Sequence, residues 1–368
     1  MVRCKAFEFK QGKDIFYLGL IKAKEILVDC DVDIYDANNN QSGYQRRPSR
    51  ERAKRFSDYL SKCKGAFDST CFLNVRDAKA VRFVEKNKLS DNSRFGSLEI
   101  DKSLYIVDGQ HRIKGLELAL KEKFNKNFLV PVLITIGKKQ SEEALSFLII
   151  NRTAKGIRAD LTDELIYKTI NKDELTNDLK SVLGLTIQRN IGEFSLTVTE
   201  RMNEDKGSFW ADKIIRPNER KSLDKTVNQR VFSQSLSEAI KSCSLLKRAV
   251  NIGDTELVIK LLKNYWQAIA RACPQSCSED YWRKYSLLKR LGVMVMNQLF
   301  GRILDDAGQN RSIEGMFKSL KKISSLTDES WHAKEGRFGK LGTSFTAIKE
   351  VYTSLEMELD TASVTTNL

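Results

Sequence analysis

The sequence predicts an α+β protein, in which a mixed α/β domain at residues 1–170 precedes a mainly helical domain at residues 226–368. Three observations support this class. Short apolar runs of strand length alternate with helical patterns in the first half. One such run, residues 104–107, leads through Asp108 and Gly109 directly into a helical repeat. Beyond residue 226, long amphipathic patterns replace the short runs, and residues 171–225 form a connecting segment with short strands.

The pattern of the first half predicts a sheet with short helices. Residues 4–9 and 15–20 flank the turn residues 11–14, which predicts a β-hairpin. Pro131 lies inside the apolar run 128–136 and predicts an edge or bulge position, because proline cannot donate to a β-ladder. Residues 84–99 are polar and predict a loop. The other predicted elements are a helix at 21–28, a polar loop at 36–43, a strand at 71–75, a helix at 141–151 and a helix from 160 onward.

The second half has a different pattern. Residues 174–183 read as helical, and residues 185–199 alternate enough for two strands. Residues 204–225 are polar, carry Trp210 in a charged setting and predict a loop. Amphipathic patterns at helical spacing follow at residues 231–249, 255–272 and 281–304. These patterns predict a helical bundle.

The composition favours an anionic partner. The formal net charge is +14, so double-stranded DNA is the first expectation, with a merely soluble basic protein as the alternative. The seven cysteines are scattered, which predicts reduced thiols in a cytoplasmic protein. With only two histidines we expect no zinc site, and we expect no iron–sulfur cluster. No stretch has the apolar length of a membrane span, so no membrane partner is expected.

The central feature is the pentapeptide at residues 108–112, which joins the buried strand to the helix. Gly109 lets a ligand approach the backbone, and the free N–H groups of a first helical turn favour an anion. His111 and Arg112 add donors beside them, and Arg112 can bind a phosphate through two hydrogen bonds. The pattern therefore indicates a phosphate site. An acid-capped helix with a solvated histidine and arginine explains the bare geometry equally well.

A basic helix is predicted upstream of this turn. Pro48 and Ser49 suit its start, and apolar residues from Ala53 onward share one buried face. Six cations crowd into ten positions. They are Arg46, Arg47, Arg50, Arg52, Lys54 and Arg55. Because like charges repel, an anion nearby would stabilise them, although a solvated basic face is the alternative. We assign Arg46 and Arg47 to the phosphate site. We assign Arg50, Lys54 and Arg55 to DNA.

A second basic segment follows the helix predicted at residues 141–151. Asn151, Arg152 and Lys155 lie on it and suit contact with a phosphate ligand. A glycine-containing connection between two helices explains the same residues. Asp108 and Asp160 could hold Mg²⁺ around a triphosphate, but helix capping is the interpretation we prefer for both.

The pentapeptide spells DGQHR and resembles the defining motif of DGQHR-domain proteins, whose best-known members are the DndB-type proteins of DNA phosphorothioation (DNA sulfur modification) systems. The order of parts in residues 1–170 is also similar to the ParB–sulfiredoxin nucleotide-binding fold. Those parts are an arginine-bearing helix, a strand, the turn, a helix, a V-P-V strand at residues 130–132 and a segment bearing Asn151.

The resemblance implies roles for individual residues. The residues that match the phosphate-holding turn are Gly109, Gln110, His111 and Arg112. Asn151 matches a helical Asn near the phosphates or their metal, and Arg46 or Arg47 matches the upstream arginine. Sulfiredoxins carry a reactive Cys where this chain has Gln110, so the nucleophile for sulfinic acid reduction is missing.

Three candidate functions follow from this resemblance. The first is a DNA-binding accessory and regulatory protein of a DNA-modification or defence system. The second is an ATP-hydrolysing partner of a DNA-modifying enzyme, similar to DGQHR proteins associated with 7-deazaguanine insertion into DNA. A scaffold for the modification complex is a third, with other proteins of that complex as partners. The implied ligand is ATP or CTP with Mg²⁺. The sequence leaves the oligomeric state undecided, with a homo-oligomer as one option.

Overall fold

The computed structural model describes residues 1–36, 38–153, 159–170, 189–219, 222 and 224–366. Its contacts divide the chain into two compact units, Met1–Leu185 and Thr186–Leu368. The first carries a mixed sheet of eight strands, and the second is mainly helical. The predicted α+β class is therefore confirmed. The helix predicted at residues 174–183 lies outside the described residues.

The first unit is built on one sheet. Its strands are Val2–Gln11 (β1), Asp14–Lys22 (β2), Cys30–Asp31 (β3), Cys71–Val75 (β4), Val81–Ser90 (β5), Ser93–Ile100 (β6), Leu104–Asp108 (β7) and Leu129–Ile136 (β8). The strand order is β3-β7-β4-β8-β2-β1-β6-β5, with the β3–β7 and β4–β8 pairs parallel and the others antiparallel. Its helices are Ala23–Asp29 (α1), Arg50–Lys62 (α2), Gln110–Lys121 (α3), Gln140–Thr153 (α4) and Ala159–Glu164 (α5). A π-helical turn, Leu165–Thr169, follows α5.

Two expectations about the sheet were wrong. Residues 84–99 are not a loop, because β5 and β6 form an antiparallel hairpin there. Nearly every β5 side chain is exposed, so the strand carries no hydrophobic alternation for the sequence to reveal. Pro131 does not lie on an edge strand, since β8 runs between β4 and β2. It lies one residue before Val132, where pairing with β4 begins.

The packing of α2 on α3 positions the basic helix. Both helices cover one face of the sheet, where Leu60, Ile113 and Leu116 join its core. A Cβ added at Gly115 would lie 2.7 Å from the carbonyl oxygen of Ala53, so the two helices approach as closely as glycine allows. Ser49 caps α2 as predicted by accepting from the Arg52 N–H. The start of α2 therefore lies beside the start of α3.

The second unit packs around buried aromatic residues. Its main helices are Arg189–Glu204 (α6), Gln229–Ser242 (α7), Ser244–Ile252 (α8), Thr255–Ala272 (α9), Pro274–Cys277 (α10), Arg290–Asp306 (α11), Ile313–Lys321 (α12), Asp328–Trp331 (α13) and Phe345–Thr366 (α14). Two short strands, Ile214–Ile215 (β9) and Val227–Asn228 (β10), pair in parallel. Trp210, expected in a charged loop, is fully buried with its ring 4.7 Å from that of Trp266.

The helical expectation for this half is confirmed, with two differences. The two strands expected at residues 185–199 are wrong from residue 189 onward, where α6 runs. Phe194, Val198 and Met202 recur every four residues on its buried face, a helical stripe that local alternation obscured. The helix expected at 281–304 begins only at Arg290. No helix within the described residues is long and apolar enough to cross a membrane.

Candidate phosphate-binding site

The strand–turn–helix at residues 104–121 forms as the sequence predicts, with Gly109 as its pivot. Gly109 has φ of 102°, a left-handed conformation that side chains disfavour. A Cβ there would also lie 2.9 Å from the Sγ of Cys71. The carbonyl of Gly109 accepts from the N–H groups of Arg112 and Ile113 at 2.9 and 3.0 Å. Backbone hydrogen bonds to Gly109 therefore hold the start of α3. The expectation that Asp108 caps this helix is wrong, because Gly109 occupies the N-cap position.

A cavity of about 190 Å³ opens at the first turn of α3. It brings together five of the residues that the sequence singled out, namely Arg46, Asp108, Gln110, His111 and Asn151. It adds three that the sequence did not assign to it, namely Gln45, Arg52 and Phe147. Of the described residues that line it, Asp108 is the one carboxylate, and it faces two arginines and a histidine.

The electrostatics of this cavity disfavour the protonated form of its histidine. Burial lowers the pKa of His111, the charges of Arg46 and Arg52 lower it further, and Asp108 opposes them. Its Nε2 is buried and has no hydrogen-bond partner among the described residues. Gln110 is 6% exposed, and its Oε1 also has no partner among the described residues. Buried polar atoms of this kind are normally hydrogen-bonded, so the cavity has capacity for a polar ligand.

The walls of the cavity are held by hydrogen bonds to the sheet and to α4. Gln45 donates through Nε2 to the carbonyl of Ile106, and Tyr44 donates to the same oxygen at 3.3 Å. Asn151 donates through Nδ2 to the carbonyl of Phe147 at 2.9 Å. The bonds from Tyr44 and Gln45 hold their loop against the end of β7, and the Asn151 bond, which lies within α4, orients that side chain on its helix.

A buried ionic cluster supports the loop that carries Gln45 and Arg46. The guanidinium of Arg76 contacts Asp33 at 2.5 Å and Glu143 at 2.6 Å, and it lies 3.7 Å from the ring centroid of Tyr105. Burial works to lower the pKa of Arg76, but hydrogen bonds and charges from Glu143 and Asp33 outweigh it and raise the pKa. Asp33 in turn accepts from Asn40 at 2.8 Å. The loop is therefore tied to β4 and α4.

Several predicted phosphate ligands do not line the cavity. Arg112 donates to Asp108 at 2.8 Å and to Ser69, so its guanidinium already has a carboxylate partner. Arg47 pairs with Asp36 at 2.6 Å. The upstream arginine was expected to be Arg46 or Arg47, and of these two only Arg46 lines the cavity. Arg152 lies near the end of α4, but its side chain, that of Asp160, and the whole of Lys155 lie outside the described residues.

The cations assigned to DNA lie on the solvent side of α2. Arg50, Lys54 and Arg55 are all exposed. Arg55 pairs with Glu51 one turn away, whereas Arg50 and Lys54 form no ion pair within 4.0 Å among the described residues. Arg52, which sequence reasoning assigned to no site, lies at the start of the same helix. The small residues Ala53 and Gly115 were the signal that could have found it, because they bring this turn of α2 against α3.

Comparison with protein-family models supports the resemblance drawn from DGQHR. Residues 4–175 match the family model described as DndB, DNA-sulfur modification-associated. No protein among the curated ones and no solved structure matched the chain. The matched segment contains the sheet except for the first two residues of β1, together with the turn and every described residue that lines the cavity.

Proposed function

We propose that this chain is a DNA-binding accessory and regulatory component of a DNA-modification system of the phosphorothioation type, with a phosphate-binding cavity at the DGQHR turn. One observation carries the phosphate site: Arg46, Arg52 and His111 meet at the N-terminus of α3. A helix N-terminus favours an anion, and two guanidinium groups add charge-assisted donors. The DndB family match supports the modification system, and the net charge of +14 supports DNA.

The size of the cavity limits what it can enclose. At about 190 Å³ it is smaller than the roughly 300–1,000 Å³ of sites that surround a whole small ligand. A nucleotide such as ATP or CTP would therefore place its phosphates inside and its base outside. No three His, Cys, Asp or Glu side chains converge as metal ligands among the described residues. A bound Mg²⁺ would take most of its oxygen ligands from the phosphates and water, as it usually does in nucleotide sites.

The DNA role rests on α2. Arg50 and Lys54 are exposed on the helix whose first turn carries Arg52 into the cavity. Cations of this kind contact duplex phosphates without reading sequence. The order of an arginine-bearing helix, strand, turn, helix and Asn-bearing helix supports a relationship to the ParB–sulfiredoxin fold, which is part of the same proposal.

Nucleotide hydrolysis is the second candidate, and His111 favours it. A neutral imidazole with a buried, unpartnered nitrogen could accept a proton from an attacking water. Asp108 lines the same cavity, but its pairing with Arg112 leaves it less suited to that task. This reading would make the chain an ATP-hydrolysing partner of a DNA-modifying enzyme.

Calorimetric titration distinguishes these readings. ATP, CTP and inorganic pyrophosphate, each with Mg²⁺, are titrated into the full chain and into Arg52→Ala. Arg55→Ala, on the same helix but paired with Glu51, is the matched control. We expect binding by the wild type and the control and weak binding by Arg52→Ala. Phosphate release in the same samples tests hydrolysis. Failure of all three ligands to bind the wild type would overturn the cavity as a phosphate site.

A further inference from the structure

The sheet of the first unit has one face covered by helices and a second face that is partly open. On strands β5, β6, β1, β2 and β8, side chains that point away from the helix-covered core are exposed or half-buried, with the exception of Thr135 at the end of β8. Phe7 is 48% exposed and Leu20 is 52% exposed. Exposed apolar side chains are normal when scattered but mark a binding surface when they are contiguous.

Cross-strand register makes these side chains contiguous. Residues paired across neighbouring strands point to the same face. Phe95 on β6 pairs with Phe7 on β1, which pairs with Leu18 on β2, which pairs with Leu133 on β8. The rings of Phe7 and Phe95 are 5.0 Å apart. One row along, Phe9 pairs with Phe16, and their rings are stacked at 5.7 Å.

Cations border the aromatic half of this face. Lys5 pairs in register with Ser97, and Val84 pairs with the same serine from the other side. Contact with the Lys86 side chain, together with the repulsion between the two ammonium groups, lowers the pKa of Lys5. The next pair on this face beyond Lys5 and Ser97 is Arg3 with Glu99. Glu99 is the one acidic side chain in that pair, and it forms an ion pair with Arg3 at 3.2 Å. A border of this charge opposes a second copy of the same face and favours an anionic occupant.

We propose that this open sheet face, centred on Phe7 and Phe95 and bordered by Lys5 and Lys86, binds single-stranded nucleic acid. Exposed rings on a sheet offer flat surfaces on which bases stack, and neighbouring lysines neutralise the phosphates between those bases. Duplex DNA cannot use the rings, because its bases are already stacked. The face is separate from the DGQHR cavity and from the exposed cations of α2, so it adds a second nucleic-acid surface to the unit.

The competing occupant is an acidic protein that inserts an apolar side chain. The aliphatic residues Leu18, Leu20 and Leu133 on the same face could contact that side chain. Two aromatic pairs beside a cationic border favour bases over aliphatic side chains, because stacking needs ring faces and the phosphates need the cations. The two occupants respond differently to a change that keeps apolar area but removes the ring. Phe7→Leu is such a change, and Phe7→Trp restores a ring.

The test is fluorescence anisotropy of the full chain with a labelled single-stranded oligothymidine and with a duplex of equal length. We expect Phe7→Ala combined with Phe95→Ala to weaken single-strand binding by at least about fivefold, with duplex binding unchanged. Phe7→Trp should bind as the wild type does or more tightly, and Phe7→Leu should bind weakly. Lys5→Gln combined with Lys86→Gln should flatten the log–log salt slope of single-strand binding by up to about 1.4 units.

Two controls separate this proposal from the phosphate cavity. Phe345→Ala removes a phenylalanine that is 81% exposed in the second unit and should bind the single strand normally. Arg52→Ala should bind the phosphate ligand about ten- to a hundredfold more weakly and keep the single strand. Absence of single-strand binding in the wild type, or equal binding by the Phe7 and Phe95 variants, overturns the proposal. Binding of an acidic peptide that Phe7→Leu retains, without oligothymidine binding, overturns it in favour of a protein partner.

Discussion

Two arginines of the first unit have opposite surroundings. Arg76 is held by Asp33 and Glu143 and stacks on Tyr105. Arg52 lines the cavity at the start of α3, and no ion pair within 4.0 Å engages it among the described residues. Its charge instead lowers the pKa of His111, after burial and Arg46. The first arginine offsets part of the charge of two carboxylates inside the unit, and the second adds positive charge, without an ion pair among the described residues, to a cavity.

Arginines near a binding site therefore differ in whether a carboxylate already engages the guanidinium. A guanidinium that already donates to a carboxylate has fewer N–H groups and less net charge to offer a phosphate. Arg112 illustrates the point, because the DGQHR motif assigns it to phosphate while its guanidinium contacts Asp108. Carboxylate neighbours thus separate arginines that support the fold from those that can bind a ligand, and each class predicts a different mutant phenotype.

The largest expected effect comes from the buried cluster. Arg76→Met should lower the free energy of unfolding of the first unit by about 3–5 kcal/mol, because it leaves two nearly buried carboxylates without their cation. Hydrogen exchange in β4 and β8 measures this loss. Tryptophan fluorescence is an internal control, since all four tryptophans lie in the second unit. Arg55→Met, at an exposed pair, should cost less than about 0.5 kcal/mol. Equal losses in the two variants would contradict the comparison.

The second effect separates Arg52 from Arg112. Arg52→Ala should weaken phosphate-ligand binding about ten- to a hundredfold, the equivalent of about 1.5–3 kcal/mol, and leave stability unchanged. Arg112→Ala should lower stability by about 1 kcal/mol, because it removes contacts to Asp108 and Ser69. Calorimetry and thermal melting of both variants measure the two quantities. The sequence alone predicts that Arg112→Ala abolishes binding, and that result would restore Arg112 as the phosphate ligand.

Local signals predicted the turn, and long-range contacts decided the rest of the site. The strand, Gly109 and the start of α3 follow from residues adjacent in the chain. The choice of Arg52 depends on the contact between Ala53 and Gly115, more than sixty residues apart in the sequence. The cluster of Arg76 with Glu143 likewise spans 67 positions. The β5–β6 hairpin was missed because β5 is exposed on both faces from Val84 onward and carries no alternation there, although β6 does alternate.

The third effect concerns duplex DNA and the exposed cations of α2. Arg50→Ala combined with Lys54→Ala should flatten the log–log salt slope of duplex binding by up to about two units, since each phosphate contact contributes about −0.9. Between low and physiological salt this amounts to roughly tenfold in affinity. Arg55→Ala should change the slope less, because Glu51 already pairs with Arg55. Anisotropy titrations at several salt concentrations test this, and a slope unchanged in the double variant would remove α2 from the DNA interface.

The smallest effect is a pH dependence that His111 imposes on the cavity. In the free protein its pKa lies below the usual value of about 6.5, because burial and two arginines disfavour the imidazolium. The unfolded chain then binds the proton more readily, so this group's contribution to stability is lost as pH falls from about 6.5 through the lowered pKa. A bound phosphate has the opposite effect, because its negative charge favours the imidazolium and raises the pKa. Ligand affinity should therefore rise on acidification, by at most about tenfold per pH unit.

Calorimetry from pH 8 to pH 5.5 measures this rise in the wild type and in His111→Gln. The titration of the phosphate itself is common to both and cancels in the difference. His332→Gln replaces the chain's other histidine and should follow the wild type. If His111→Gln follows it as well, His111 does not exchange its proton with the ligand, and the charge of the cavity comes from its arginines alone.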